Sequence, residues 1–274
     1  MAKVNWLTGK TVVVTGASSG IGREITKILI EKHSCKVIGI GRDETKLKKL
    51  QSDLKGLSNL FSYKTFDISD SARFEDFAKE LNFTDTKVDV LINNAGVLPS
   101  FKKAMDIDAK TIESVMNINF YGATYGTRAM WDVLQKSNTP AIINITSSAA
   151  LCALAGTSIY SASKAALKSY TEAMQHEYKN MYISFVCPGL TKSAIFRSQE
   201  NSTKDKRINA LAMSAEKMAS KIVKGITKRK KRMVIGIDAC FMDGFYRLCP
   251  NLSKKLINWF LKTAKIDLYK DVYK

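Results

Sequence analysis

The feature that most constrains the fold is a glycine-rich turn directly after a short β-branched run. Thr11–Thr15 reads TVVVT, and Gly16, Gly20 and Gly22 follow it, before a segment with helical spacing. Glycines let the backbone approach a phosphate closely, and the helix N-terminus attracts that phosphate. Ordinary strand–helix turns also use glycine, but the position after the first strand favours a dinucleotide site.

Strand-length apolar runs alternate with helical segments along most of the chain. The predicted strands are residues 11–15, 37–40, 60–66, 88–92, 141–146, 183–186 and 233–237, and the predicted helices include residues 43–54, 71–81, 108–135 and 158–179. The runs are apolar throughout, which is typical of parallel strands buried on both faces. We therefore predict an α/β fold with a doubly wound parallel sheet. Residues 1–237 form its single domain, and residues 238–274 form a helical extension.

Composition and charge restrict the function classes. The 274 residues are 45% hydrophobic with only 4 prolines, which argues against a low-complexity chain. The formal net charge of +18 leaves nucleic acid, an anionic membrane surface or an anionic ligand as partners. Residues 202–274 carry +12 of that charge. Most of the excess positive charge therefore lies outside the region of the glycine turn and does not point to a nucleic-acid site there. We expect no nucleic-acid partner.

The cysteines and the N-terminus indicate where the protein resides. The 5 cysteines are scattered without metal-ligand spacing, so neither a metal site nor a disulfide framework is expected. The N-terminus lacks the apolar segment of a secretory signal, and no apolar stretch reaches ~18 residues. We predict a reducing, cytoplasmic location, with peripheral membrane association left open.

The end of the second strand indicates which dinucleotide is bound. NAD sites place an acidic residue there for the ribose 2′-hydroxyl, whereas NADP sites place a cation for the 2′-phosphate. Here Gly41 takes the acidic position and Arg42 follows it. Asp43 lies where a helix N-cap is expected. The pattern favours NADP(H), with NAD(H) as the alternative.

A set of motifs in this order resembles the short-chain dehydrogenase/reductase superfamily over roughly residues 9–237. The matching residues are Thr15 to Gly22, Asn93 to Gly96, Asn119, Ser147, Tyr160, Lys164, Pro188 and Gly189. The resemblance implies a Rossmann-type fold, a nicotinamide cofactor and hydride transfer between an alcohol and a carbonyl. It also implies a catalytic set of Asn119, Ser147, Tyr160 and Lys164.

The chemistry of these residues agrees with that role. Tyr160 and Lys164 are four residues apart, so they share one helix face. A nearby ammonium, together with the positive nicotinamide of the oxidised cofactor, should lower the tyrosine pKa from about 10 toward use at neutral pH. Such a pair alone is common on helix surfaces, but Ser147 follows a strand at the ligand-binding edge, where its hydroxyl can bind the substrate oxygen.

The resemblance assigns the other roles. Tyr160 is the general acid/base, Lys164 binds the cofactor ribose, and Asn119 holds a water that extends the proton relay. Ser148 and Asn117 are the adjacent alternatives to Ser147 and Asn119, and a helix-interior asparagine bonded to backbone is the structural alternative. The cofactor residues implied are Gly16, Ser18, Ser19, Gly20, Ile21, Gly22, Arg42, Asp67, Ile68, Asn93, Ala95, Gly96, Tyr160, Lys164, Pro188, Gly189, Thr191 and Ser193. Asp67 and Asn93 could instead serve only in turns.

Substrate and partners are predicted from the remaining apolar segments. Residues 98–101, 149–155 and the loop after Pro188, with Ile195 and Phe196, supply apolar side chains for a steroid, retinoid or 3-oxo-lipid alcohol or ketone. These segments could equally pack on each other. The basic amphipathic segment 252–261 fits either an anionic membrane surface or packing on the body or a second subunit of a homodimer or homotetramer. A catalytically silent dinucleotide sensor or nucleic-acid-binding relative is the alternative function.

Overall fold

The computed structural model describes residues 5–192, 212–263, 269 and 272–273. The strands are β1 (Thr11–Thr15), β2 (Lys36–Gly41), β3 (Phe61–Thr65), β4 (Val90–Asn93), β5 (Ala141–Ile145), β6 (Tyr182–Pro188), β7 (Thr191–Lys192), β8 (Met213–Ser214) and β9 (Arg232–Ile235). The helices are α1 (Gly20–His33), α2 (Glu44–Asp53), α3 (Ser71–Phe83), α4 (Ala109–Met116), α5 (Gly122–Ala129), α6 (Trp131–Gln135), α7 (Ser158–Glu177), α8 (Ala215–Thr227), α9 (Ile237–Leu248) and α10 (Pro250–Thr263).

A parallel sheet organises the molecule, with the strand order β3-β2-β1-β4-β5-β6-β9. The order reverses between β1 and β4, and such a switch point opens a crevice beyond the carboxyl ends of the strands. The predicted Rossmann-type, doubly wound parallel sheet is confirmed. The short strands β7 and β8 form a separate parallel pair beyond β6.

Helices cover both faces of the sheet, which explains why its strands are apolar throughout. On one face, Ile25 and Leu29 of α1 and Ile222 of α8 belong to one buried cluster. On the other face, Phe74 of α3 and Met174 of α7 belong to a second buried cluster. Both faces of each central strand are therefore removed from water, which supplies the main stabilisation of the sheet.

Helix α8 is an element that the sequence analysis did not assign. Its N-cap Ser214 accepts a hydrogen bond from the backbone N–H of Lys217 at 3.2 Å. Met218, Ile222 and Ile226 recur at helical spacing and are fully buried. That spacing is a readable helix signal.

The predicted helical region 108–135 is divided in the structure. α4 continues into a π-helical turn, Asn117–Tyr121, and then into α5 and α6. A π turn inserts an extra residue into the helix, and such turns occur frequently at functional sites.

The tail beyond Ile235 packs against the carboxyl edge of the sheet. Leu261, Tyr269 and Val272 form a third buried cluster with Leu98 and Phe101. Pro250 is the first residue of α10, a position where its missing N–H costs nothing. None of the described helices is both long and apolar enough to cross a bilayer.

Residues 228–231 of the basic run lie at the opposite edge from this tail, whereas Arg232 pairs with Asp243 of α9 at 2.7 Å. The carbonyl of Lys231 accepts a hydrogen bond from the Phe185 N–H at 3.2 Å. The carbonyl of Lys230 accepts one from the Tyr182 hydroxyl at 2.9 Å. Since Tyr182 is the first residue of β6, residues 228–231 flank the amino edge of the sheet. The cations that the structure describes within residues 212–263 therefore do not form one patch.

Candidate active site

The glycine turn after β1 is built for close backbone approach. α1 begins at Gly20, and its N-cap Ser19 makes no side-chain capping hydrogen bond. A Cβ at Gly22 would overlap the carbonyl of Gly16 and the side chain of Asn94. The turn therefore accepts no side chain at Gly22, and it leaves the first N–H groups of α1 facing the crevice.

The end of β2 places a cation at the crevice. Arg42 is 64% exposed in its side chain, and its Nη1 lies 3.2 Å from Oδ2 of Asp67. Asp43 accepts a hydrogen bond from the Lys46 N–H at 3.0 Å, which confirms its predicted N-cap role. A Cβ at Gly41 would lie 3.3 Å from the Ser18 hydroxyl, so Ser18 and the Arg42 backbone are neighbours.

Asp67 follows β3 and is held by its own turn. Partial burial raises its pKa, but hydrogen bonds from Ser69 and the charge of Arg42 outweigh burial and leave the pKa below its ordinary value. The Ser69 N–H and hydroxyl donate to Oδ1 at 3.0 and 2.8 Å. Asp67 is therefore an anion at neutral pH, with one oxygen directed to Arg42.

The segment after β4 is fastened to β1. The backbone N–H groups of Asn94 and Ala95 both donate to the Thr15 hydroxyl, at 2.9 and 3.1 Å. The Asn93 side chain instead points into the core, where its Nδ2 donates to Asn144 Oδ1 at 2.9 Å. Asn93 thus supports the sheet, whereas Asn94, Ala95 and Gly96 border the crevice.

Ser147, Tyr160 and Lys164 come together at the carboxyl end of β5. Ser147 follows β5 after Thr146, and its hydroxyl is close enough to Tyr160 to lower the pKa of the phenol. Lys164 lies one helical turn beyond Tyr160 on α7 and is buried, with its Nζ donating to the Ile145 carbonyl at 3.1 Å. The structure therefore assembles the predicted hydroxyl, phenol and ammonium groups in one place.

Asn119 is fixed beside this group by its amide. Its Oδ1 accepts from the Val97 N–H at 2.7 Å, and its Nδ2 donates to the Val97 carbonyl at 2.9 Å and to the Ser163 hydroxyl at 3.0 Å. A Cβ at Gly96 would lie 3.1 Å from both Asn119 Oδ1 and Lys164 Nζ. The Asn119 side chain thus links the π turn to the segment after β4 by hydrogen bonds, and it lies close to Lys164.

Burial dominates the acid–base properties of the pair. Burial raises the pKa of Tyr160, and the Ser147 hydroxyl offsets this only in part. Burial also lowers the pKa of Lys164 to about 8. Loss of hydration penalises the charged form of each side chain, and the lowering of the tyrosine pKa by the lysine and an oxidised nicotinamide together stays a prediction.

A cavity of about 950 Å³ connects the glycine turn with this catalytic group. The predicted residues that line it are Gly16, Ser18, Ser19, Gly20, Ile21, Arg42, Asp67, Ile68, Ala95, Gly96, Ser147, Tyr160, Lys164, Pro188, Gly189 and Thr191. Gly22, Asn93 and Asn119 are not on its surface. Ser193, Ile195 and Phe196 lie outside the described residues.

The tail supplies much of the cavity wall, which the sequence analysis did not foresee. The lining residues from this part of the chain are Asp238, Phe241, Met242, Phe245, Leu256, Ile257, Trp259, Leu261 and Tyr269. The sequence shows the helical spacing of the apolar residues. It does not show that these residues cover the cavity.

Asp238 is a second residue that the sequence did not reveal. Its Oδ2 accepts a hydrogen bond from the Leu190 N–H at 2.6 Å. A Cβ at Gly189 would overlap both carboxylate oxygens, so only glycine allows this approach. The first turn of α9 is thereby joined to the loop after β6.

With this geometry established, comparison with known proteins identifies the chain. A sequence model of the short chain dehydrogenase family matches residues 10–204. The chain belongs to the short-chain dehydrogenase family. Its glycine turn and parallel sheet are therefore those of a family of oxidoreductases.

Named relatives and solved structures agree with this membership. The chain is 30% identical over 266 residues to the ketoacyl reductase HetN of Nostoc sp., covering 93% of this chain and 90% of the relative. It is 31% identical over 249 residues to the 3-ketodihydrosphingosine reductase of Bos taurus, covering 86% and 74%. A short-chain dehydrogenase/reductase from Burkholderia phymatum, solved with NAD, has a TM-score of 0.73 at 24% identity, covering 83% of this chain and 89% of that one.

Proposed function

We propose that the protein is an NADP(H)-dependent oxidoreductase that interconverts a hydrophobic secondary alcohol and its ketone. The observation that carries this proposal is that Ser147, Tyr160 and buried Lys164 meet on the wall of one largely apolar cavity. A catalytically silent relative has no chemical need for this arrangement.

The residues around the crevice fit a nicotinamide dinucleotide. The first turn of α1, which lies wholly within the described residues, carries no acidic side chain. Its free N–H groups and the Ser18 and Ser19 hydroxyls are donors for a pyrophosphate. Asp67 and Ile68 border the place expected for adenine, and Pro188 to Thr191 border the place expected for the carboxamide. When bound, the cofactor gives or accepts the hydride.

Arg42 supports NADP(H) over NAD(H). Its guanidinium is exposed and, among the described residues, forms an ion pair with one oxygen of Asp67, so further N–H donors remain for a 2′-phosphate. Exposed ion pairs contribute little stability, so the bond to Asp67 is easily exchanged for a phosphate. The Ser18 hydroxyl close to Gly41 would add another donor.

Tyr160 moves the proton. Because its pKa is raised, its hydroxyl is protonated at neutral pH and can donate to a ketone oxygen during reduction. Ser147 would bind the same oxygen as negative charge develops on it. In the reverse direction the Tyr160 oxygen receives the proton of the alcohol.

Lys164 and Asn119 support that transfer. Lys164 would bind the ribose hydroxyls of the cofactor, and its positive charge stabilises a phenolate formed on Tyr160. Asn119 holds the Val97 backbone beside Lys164, and the π turn that contains it can hold the relay water that the family resemblance implies.

The cavity wall supports an apolar substrate. Phe101, Leu154 and Leu98 line the cavity from the body, and aromatic and aliphatic residues of α9 and α10 line it from the tail. Two relatives bear names that denote ketone reduction on ketoacyl and 3-ketodihydrosphingosine substrates. Among steroids, retinoids and 3-oxo lipids, we infer that a 3-oxo lipid is the substrate class. The homodimer or homotetramer and the cytoplasmic location stay predictions.

A substrate panel tests the proposal. Purified protein is assayed with NADPH and with NADH against 3-oxo lipids, retinaldehydes and ketosteroids. We expect NADPH oxidation to be fastest with a 3-oxo lipid. Binding of both cofactors without turnover of any carbonyl or alcohol would favour the silent sensor instead.

A further inference from the structure

Helices α9 and α10 each present large apolar side chains to solvent. Each set recurs at helical spacing, so its members share one side of their helix. The side chains are between 45% and 91% exposed. We call these residues the apolar rim: Ile237, Phe241, Leu248, Leu252, Leu256 and Trp259.

Three residues of the apolar rim lie at the entrance of the cavity. Phe241, Leu256 and Trp259 are exposed to solvent and also line the cavity. A residue that does both lies at the mouth. A substrate that enters past these side chains therefore crosses an apolar surface and not open water.

Cations accompany the apolar rim. Lys255 and Lys262 are exposed and lie three residues after Leu252 and Trp259, so they neighbour the stripe of α10. Among the residues that the structure describes, neither lysine has a carboxylate within ion-pair distance.

The acidic groups of α9 do not compensate for these lysines. Asp243 is paired with Arg232 at 2.7 Å and with Arg247 at 3.2 Å. Asp238 accepts the hydrogen bond of Leu190. The surface around the mouth is thus apolar and cationic.

We propose that the apolar rim docks on an anionic lipid bilayer and that the cavity takes its substrate from that bilayer. Tryptophan and leucine beside lysine suit the boundary between acyl chains and anionic headgroups. A second copy of the chain fits less well, because an isologous contact would bring the lysines of two rims together. The inference rests on the proposed function only for the apolar nature of the substrate.

Vesicle co-sedimentation of the full chain tests the docking without any turnover. The probes are vesicles of phosphatidylcholine alone and vesicles containing about 30% phosphatidylserine. We expect binding to the anionic vesicles that salt weakens. The double variant Leu252→Ser, Trp259→Ser should bind at least about tenfold more weakly, because it removes two anchoring side chains.

Matched variants separate the rim from general surface effects. Phe83 and Met105 are large, exposed apolar residues outside the tail. Phe83→Ser with Met105→Ser should leave vesicle binding unchanged. Lys255→Glu with Lys262→Glu should abolish the preference for anionic vesicles, whereas Lys110→Glu on α4 should keep it.

Two results would overturn the docking proposal. One is equal vesicle binding by the Leu252, Trp259 variant and the wild type. The other is a change in oligomeric state of that variant by light scattering while vesicle binding persists, which would assign the rim to a second copy. Tyr160→Phe should bind vesicles like the wild type, so a failed redox assay would not affect this test.

Discussion

The Oδ2 atom of Asp238 accepts a hydrogen bond from the backbone N–H of Leu190 at 2.6 Å. The bond joins the first turn of α9 to the loop that follows β6. Pro188, Gly189 and Thr191 around this bond line the cavity. The carboxylate therefore links the tail helices to the proposed carboxamide site, in addition to the bond from the Gly189 N–H to the Ile235 carbonyl at 2.8 Å.

Asp238 is expected to act as a positioning residue. Asp238→Ala removes a charge-assisted acceptor, and we expect about a tenfold rise in the KM for NADPH with a smaller change in kcat. Asp238→Asn keeps an oxygen acceptor and should recover most of the loss. Steady-state kinetics and cofactor titration measure both. Equal impairment of the alanine and asparagine variants would contradict the role of the hydrogen bond.

Arg42 is expected to select the phosphorylated cofactor. Arg42→Ala should weaken NADPH binding by about tenfold or more and leave NADH binding nearly unchanged, because only NADPH carries the 2′-phosphate. Titration of nucleotide fluorescence measures both affinities. Lys46→Ala, which removes an exposed cation paired with Asp43, is the control. An unchanged ratio of the two affinities in the Arg42 variant would remove Arg42 from the account.

Buried Lys164 is expected to lower the free energy of unfolding of the protein at neutral pH. Its pKa falls to about 8 on folding, so the protonated lysine destabilises the native state at pH 7, and that cost disappears as the pH rises through about 8 toward the unfolded value. Lys164→Met should therefore raise the free energy of unfolding at pH 7. The expected net gain is about 1–3 kcal/mol once the cost of losing the hydrogen bond to the Ile145 carbonyl is subtracted. It should also abolish activity.

Urea unfolding at several pH values measures this effect. The gain in stability from Lys164→Met should shrink between pH 7 and about pH 10, as the wild-type lysine loses its proton. Lys168→Met alters a less buried lysine of the same helix and serves as the control. A stability difference that does not vary with pH would refute the buried-charge explanation.

The sequence was sufficient for the fold and for the residues that meet at the end of β5. Continuous apolar strands and the Tyr160–Lys164 spacing are local patterns, so they can be recognised from the order of residues alone. The Asp238–Leu190 contact joins residues 48 positions apart, so no periodic pattern in the sequence predicts it. Burial is equally absent from a sequence, so the raised pKa of Tyr160 could not be inferred from it.

The tail shows the same limit. The sequence shows the amphipathic spacing of the tail, but that spacing fits either a membrane surface or a protein surface. Only the structure shows Phe241 and Trp259 at the mouth of the cavity. Likewise the basic run 228–232 and the tail lysines appear as one charge excess in the sequence. β9 lies between residues 228–231 and the tail lysines and places these two groups at opposite edges of the sheet.

The most direct test of the central claim is the NADPH-dependent reduction rate of Tyr160→Phe beside the wild type, with the best substrate of the panel. The variant keeps the ring and removes only the hydroxyl that would donate the proton. We predict a loss of at least about a hundredfold in kcat, with NADPH affinity preserved. A Tyr160→Phe protein that reduces the ketone as fast as the wild type would contradict the account.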